Sequence, residues 1–124
     1  MQTKFNLYQV QFRASDQDLY TKICFNGFNG DVLKASRLTH LAIKAELVQH
    51  VSVIEAANLE HAFGIANLGP EESIESFPEV GMRSMSIGDI IEDPEQNNAW
   101  ICDSNGFTSI SSNIQKRLVA LRIV

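Results

Sequence analysis

Residues 88–110 read Gly-Asp-Ile-Ile, Glu-Asp-Pro-Glu-Gln-Asn-Asn, Ala-Trp-Ile-Cys, Asp-Ser-Asn-Gly and Phe-Thr-Ser-Ile, and they are the most informative part of the sequence about the fold class. Three short apolar runs, at 90–91, 99–102 and 107–110, are separated by two polar segments. Short apolar runs bounded by Asn, Asp, Pro and Gly are typical of strands joined by hairpins. The stretch therefore predicts a three-strand antiparallel meander.

Two further strands are predicted upstream of the meander. Apolar side chains alternate along residues 4–13, with apolar residues on both faces, and this pattern predicts a first strand partly buried on both sides. Residues 46–54 have no helix former at their centre and predict a second buried strand. We expect Val48 and Ile54 to share one face of it, because their spacing is even.

The helix with the clearest limits is expected between Asn58 and Gly69. Asn58 stands at an N-cap position, apolar residues follow at helical spacing, and Gly69 precedes a proline. We expect Phe63 on this helix to pack on the sheet face that carries Ile90 and Ile101 of the meander.

Other helical patterns are weaker. Residues 15–26 and 31–44 each predict a helix, and a helix of one or two turns is expected over 70–77, since Pro70 favours a first turn. The end of the chain is left open between helix and strand. If residues 118–124 form an exposed edge strand, a homodimer is expected; if they form an interior strand, a monomer is expected.

Together these elements predict an α+β fold: one small domain with an antiparallel sheet and two or three helices packed on one face. A chain of 124 residues with 44% apolar residues can bury a core without metal or disulfide support. The two cysteines, Cys24 and Cys102, are too few for a disulfide framework, and no apolar run reaches the roughly 18 residues of a membrane span. We therefore expect a cytoplasmic protein with no membrane contact.

Three segments within residues 58–110 carry a recognisable pattern: 58–69 (Asn-Leu-Glu-His-Ala-Phe-Gly-Ile-Ala-Asn-Leu-Gly), 83–91 (Arg-Ser-Met-Ser-Ile-Gly-Asp-Ile-Ile) and 102–107 (Cys-Asp-Ser-Asn-Gly-Phe). They resemble the second half of small uncharacterised phage- and plasmid-borne proteins of the YodL-like group. The resemblance covers less than half of the chain. It implies a gene of a mobile element, and so a location in the host cytoplasm, but it implies no catalytic residue.

The same pattern also has a structural explanation. A glycine can adopt backbone angles that other residues avoid, and an aspartate can bond nearby amides at the start of a strand. We interpret the whole motif as structural. Its members are Ser84, Ser86, Gly88, Asp89, Gly106 and Phe107.

Few residues indicate catalysis or the binding of a metal or cofactor. The three histidines and two cysteines have no zinc-ligand spacing, so the sequence predicts neither a metal nor a cofactor. Cys102 could act as a nucleophile beside a histidine, and Asp89 with Asp103 could form an acid–base pair. A buried thiol and turn-capping aspartates are the commoner roles of such residues. The alternative function is accordingly a small hydrolase or nucleotide-binding protein that uses Cys102, Asp89 or Asp103.

Charge is distributed unevenly along the chain. The net charge is −5, which disfavours direct nucleic-acid binding, but residues 71–103 alone carry −8 and the remainder carries +3. An acidic surface would attract a protein partner with a basic surface; the alternative is a solvated face that keeps the protein in solution. We therefore expect a non-enzymatic mobile-element protein that binds a host or viral macromolecule, inhibiting a host defence or redirecting a host machine. The candidate contact residues are Glu71, Glu72, Glu75, Glu79, Glu92, Asp93 and Glu95.

Overall fold

The computed structural model describes residues 2–10, 21–22, 32–44, 47–69, 73–76, 85, 87–103 and 106–122. Their elements, in chain order, are β1 (Thr3–Val10), α1 (Val32–Lys44), β2 (Val48–Ala56), α2 (Leu59–Leu68), β3 (Ile74–Ser76), β4 (Ile90–Asp93), β5 (Asn98–Asp103), β6 (Gly106–Ser109) and α3 (Ser112–Val119). None of the helices described here is long and apolar enough to cross a bilayer.

The strands form one antiparallel sheet in the order β3-β2-β1-β4-β5-β6. The last three strands are the meander that the sequence predicts, and β1 lies between β2 and β4. The α+β class and the antiparallel sheet of a single small domain are confirmed.

A β-bulge in β2 decides which residues face which side of the sheet. Leu7 pairs with Ser52 but Tyr8 pairs with His50, so one extra residue, Val51, is inserted in β2. A bulge reverses the alternation of side chains beyond it. Val48 therefore packs in the core with Tyr8, whereas Ile54 packs on the other side. The prediction that Val48 and Ile54 share a face is wrong for this reason.

The sheet has a hydrophobic core on each side. Helices α1 and α3 share one face, and α2 lies on the other. The core beneath α2 is built from Phe5, Leu7, Val51, Ile54, Ala56, Ala62, Ile65, Ala66, Met85, Ile91 and Cys102. The core beneath α1 and α3 is built from Tyr8, Val10, Ala42, Ile43, Val48, Ile90, Ala99, Ile101, Ile110 and Leu118.

The helix α2 has the predicted caps but a different set of strand neighbours. Asn58 accepts a hydrogen bond from the amide of His61, and Gly69 ends the helix with a φ of 82°. Phe63 is only partly buried against the core beneath α2. Ile90 and Ile101 lie on the opposite side of the sheet, so the prediction that they face Phe63 is wrong.

Two local predictions are corrected by tertiary structure. The helix expected over 70–77 is contradicted at 74–76, where β3 pairs with the edge of β2 and partly buries Ile74. At the end of the chain α3 runs to Val119 and Leu118 is fully buried, so residues 118–119 form neither an edge strand nor an interior strand. Apart from residues 21–22, which are helical, the helix expected over 15–26 lies outside the described residues.

Candidate functional site

A buried polar network is centred on Glu92, on the face that α1 and α3 cover. The side chain of Glu92 is 0% exposed. Oε1 accepts hydrogen bonds from Asn6 Nδ2 at 3.0 Å, the Tyr8 hydroxyl at 2.8 Å and Arg122 Nε at 3.0 Å. Oε2 accepts from Gln115 Nε2 and from Arg122 Nη2, both at 2.8 Å. Five donors thus converge on one carboxylate.

The donors determine the charge of this network. Burial by itself raises the pKa of Glu92, but the hydrogen bonds from Arg122, Asn6 and Tyr8 outweigh it and hold the pKa below its ordinary value. The hydrogen bond to Glu92 raises the pKa of Arg122, and burial together with the charge of Glu92 raises the pKa of Tyr8. At neutral pH the network is therefore an ion pair with a neutral phenol.

His50 extends this buried network along β2. Its ring stacks on Tyr8 with centroids 5.0 Å apart and an interplanar angle of 27°, and Nε2 lies 3.1 Å from the carbonyl oxygen of Ser52. Burial lowers the pKa of His50. The imidazole is therefore neutral at pH 7 and donates from Nε2 to the carbonyl.

An open cleft of about 300 Å³ lies beside the network. The helices α1 and α3 pack against β5, whereas the cleft is bordered by residues of β1, β2 and β3, toward the other edge of the described sheet. Arg122 joins the two regions, since it pairs with Glu92 and also borders the cleft. The lining residues are Lys4, Asn6, Val53, Glu75, Pro94 and Arg122.

Two exposed carboxylates lie on neighbouring strands at the β3 edge of the sheet. Glu75 on β3 pairs with Val53 on β2, and Glu55 lies two residues further along β2 on the same face. Such diagonal neighbours in a sheet are about 7 to 8 Å apart. Lys4 pairs with Glu55 across β1 and β2 and is also exposed. We call Glu55 and Glu75 the acidic corner.

The predicted acidic residues are not all on the surface. Glu75 and Glu95 are exposed. Glu92 is fully buried and Asp93 is 8% exposed, so their predicted contribution to an exposed acidic surface is wrong. Glu92 is held by its five donors, and Asp93 Oδ1 accepts from the backbone amide of Glu95 at 3.1 Å, which stabilises the turn after β4. The other three predicted residues, Glu71, Glu72 and Glu79, lie outside the described residues.

The two glycines of the motif have the backbone angles that the structural interpretation predicts. Gly88 has a φ of 92° and Gly106 a φ of 130°, a region that favours glycine. Phe107 is partly buried and packs edge-on against Phe63, with ring centroids 6.3 Å apart. Ser84 and Ser86 lie outside the described residues.

The candidate catalytic residues are engaged in structural contacts. Asp89 is 1% exposed and accepts from Gln9 Nε2 at 3.0 Å, and Asp103 accepts from the Thr108 hydroxyl. Burial, followed by the charges of Asp89 and Asp103, raises the pKa of the buried Cys102 thiol to about 12. A thiol with this pKa is protonated at pH 7 and is a poor nucleophile.

Within the described part of the chain, no group of three or more His, Cys, Asp and Glu side chains is placed to hold a metal ion. Comparisons of the chain with protein families, curated proteins and solved structures give no match.

Sequence reasoning missed the network around Glu92 and the place of Glu55. The partners of Glu92 are 86, 84, 30 and 23 residues away, so no local spacing relates them. The available signal is polarity at positions where neighbours are apolar: Asn6 lies between Phe5 and Leu7, and Glu92 follows two isoleucines. Such residues are buried only when partners satisfy them.

Proposed function

We propose that the chain is a non-enzymatic protein that binds a host or viral macromolecule, and that the acidic corner contacts a basic segment of that partner. The observation that carries the proposal is the exposed position of Glu75 at the cleft, beside the exposed Glu55. Three more glutamates, Glu71, Glu72 and Glu79, lie within four residues of β3 in the sequence. Opposite charge on the partner would steer association and set its orientation.

The state of the candidate nucleophile supports binding over the hydrolase alternative. Cys102 is buried beneath α2 and has a raised pKa, while the side chains of Asp89 and Asp103 accept hydrogen bonds from neighbouring side chains. A nucleophile needs both exposure and a lowered pKa. The carboxylates of the acidic corner, in contrast, face solvent.

The origin and setting of the protein are part of the proposal. The motifs at 58–69, 83–91 and 102–107 resemble mobile-element proteins, and this resemblance supports a phage-like gene acting in the host cytoplasm. Inhibition of a host defence or redirection of a host machine is the role that such a binding protein would have.

A homodimer also belongs to the proposal. Since α3 occupies residues 112–119, the strands that a second copy could pair with are β3 and β6, which end the described sheet. Sedimentation equilibrium at micromolar concentration tests this point. A mass near 13.8 kDa would contradict the dimer.

The acidic corner is tested by a charge reversal with a matched control. Glu75→Lys and Glu60→Lys change the net charge equally, but Glu60 is exposed on α2, on the other side of the sheet. We expect Glu75→Lys to weaken binding of a short Lys-rich peptide about tenfold, as loss of a favourable rim charge and gain of a repulsive one would. Glu60→Lys should change the affinity much less.

The measurement is fluorescence anisotropy of the labelled peptide at low and physiological salt. Equal affinity of the parent and Glu75→Lys, or equal weakening by both variants, would contradict the assignment of the acidic corner. Affinity purification from host lysate with the parent and both variants then identifies proteins whose capture depends on Glu75.

A further inference from the structure

The two helices that share a face of the sheet have an unusual composition. Although the chain has a net charge of −5, α1 and α3 contain five of its ten Lys and Arg residues and no Asp or Glu. These helices pack against each other over the core around Ile43 and Leu118. Half of the basic residues are therefore concentrated on adjacent helices. They are Lys34, Arg37, Lys44, Lys116 and Arg117.

Apolar side chains are exposed next to these cations. Leu41 is 56% exposed and lies one helical turn from Arg37 and Lys44, both of which are exposed. Val119 is 42% exposed and lies three residues after the exposed Lys116. On each helix an apolar side chain thus adjoins a basic one. Exposed apolar residues that are bordered by charged ones mark interaction sites more often than isolated exposed apolar residues do.

A cleft between the helices combines the same two properties. It has a volume of about 350 Å³, and its lining includes Ile43 from α1 together with Lys116, Arg117 and Ala120 from the end of α3. Ala120 is exposed and provides an apolar contact beside the buried Ile43, whereas the two exposed cations can reach an anionic group at the rim. An occupant that complements this cleft needs apolar side chains flanked by negative charge.

We infer that this surface docks an acidic amphipathic segment of a partner protein. We call it the basic helical face and define it by Arg37, Leu41, Lys44, Lys116, Arg117 and Val119. Carboxylates of the segment pair with the cations, and its apolar side chains cover Leu41, Val119 and the cleft. An amphipathic helix supplies both at a spacing of three and four residues, which is how such segments occupy grooves.

A protein segment fits this surface better than a nucleic acid does. The face presents Leu41 and Val119 among its cations, and a phosphate backbone offers these side chains no apolar partner. The remaining charge of the chain is strongly negative and repels an extended polyanion at long range. A short acidic segment meets only the local positive field.

The test uses a labelled peptide designed with Leu and Glu at helical spacing, titrated against the full chain by fluorescence anisotropy. Lys116→Gln with Arg117→Gln removes two cations. Gln96→Glu with Ser109→Glu changes the net charge equally at exposed positions outside α1 and α3. Leu41→Ser with Val119→Ser removes the apolar contacts. A peptide with Ser in place of every Leu reports the charge contribution alone.

We expect the cation variant to weaken binding of the Leu/Glu peptide about tenfold and the apolar variant about fivefold, while the control stays near the parent. The apolar variant should leave the weaker binding of the Ser/Glu peptide unchanged. Equal weakening by the control, or no effect of the apolar variant, would overturn the inference. So would duplex DNA that binds more tightly than the Leu/Glu peptide, or self-association that the cation variant abolishes.

Discussion

Replacing Glu92 with Gln tests the energetic importance of the buried network. The two side chains have nearly the same shape, but a carboxylate only accepts hydrogen bonds whereas an amide NH₂ group donates them. Oε1 receives three donors and Oε2 receives two, so either amide orientation brings the NH₂ group against at least two donors. Glu92→Gln therefore removes the charge partner of Arg122 and creates opposed donors in the interior.

The expected loss of stability follows from the geometry. Removing one partner of a buried ion pair costs about 3 to 5 kcal/mol. Gln keeps one accepting oxygen, and the side chain of Arg122 is 22% exposed and can be rehydrated, which places the expectation at the lower end, about 3 kcal/mol. For a domain of this size the melting temperature should fall by about 12 °C.

The pH dependence of Glu92→Gln gives an independent check. Because the folded state lowers the pKa of Glu92, its ionisation stabilises the fold above the unfolded pKa of about 4.3. This contribution is lost as the pH falls through the folded pKa. The difference in unfolding free energy between the parent and Glu92→Gln should therefore be full at pH 7 and should shrink below about pH 4.

The assay is urea unfolding followed by far-ultraviolet circular dichroism at several pH values. Glu95→Gln is the control, since Glu95 is an exposed carboxylate in the turn that follows the same strand. It should change stability by less than about 0.5 kcal/mol. A loss below about 1 kcal/mol for Glu92→Gln, or a loss that is the same at pH 3 and pH 7, would show that the ionised Glu92 does not stabilise the fold.

Three further predictions concern single positions. In thermal melts, Gly64→Ala in α2 should stabilise the fold by about 0.5 to 1 kcal/mol, whereas Gly106→Ala should destabilise it by about 1 to 2 kcal/mol. An added Cβ meets nothing within 4 Å at either site, but of the two only Gly106 has a positive φ. Two changes of the same sign would contradict this prediction. Leu118→Ala should cost about 2 to 5 kcal/mol in urea unfolding and Val119→Ala less than about 1, since Leu118 is 0% exposed and Val119 is 42% exposed. Iodoacetamide should label Cys102 slowly in the native protein and rapidly in urea, because the thiol is buried and its pKa is raised to about 12. Peptide mass spectrometry measures the labelling, and fast labelling of the native protein would show that the thiol is accessible.

Most local elements of the fold could be predicted, whereas the side of the sheet on which β2 and α2 pack could not. The turns of the meander and the caps of α2 are encoded by residues next to the elements that they limit. The helix predicted over 70–77 followed from local signals at Pro70 and its neighbours, yet pairing of β3 with the edge of β2 determined the structure there. The bulge at Val51 has no local marker, and it reverses the side on which the rest of β2 packs.

The candidate site could be predicted only in part for the same reason. Exposure of Glu75 was expected from the run of acidic residues around it. Glu92 belongs to that run by sequence, but its donors come from β1 and from the end of the chain, and they bring it into the interior. The net charge of a segment therefore predicts an acidic surface only when it is also known which of its carboxylates have long-range partners in the interior.

The central position of β1 in the sheet delays folding of the chain during its synthesis. Asn6 and Glu92, neighbours across β1 and β4, are separated by 86 residues, and a ribosome takes roughly 4 to 17 seconds to synthesise that length. During this time β1 can pair with β2 but its other edge has no partner. Contacts of such long sequence separation also slow refolding in solution. A nascent chain with β1 complete therefore waits with an open strand edge, and shielding by a chaperone at this stage should raise the yield of folded protein.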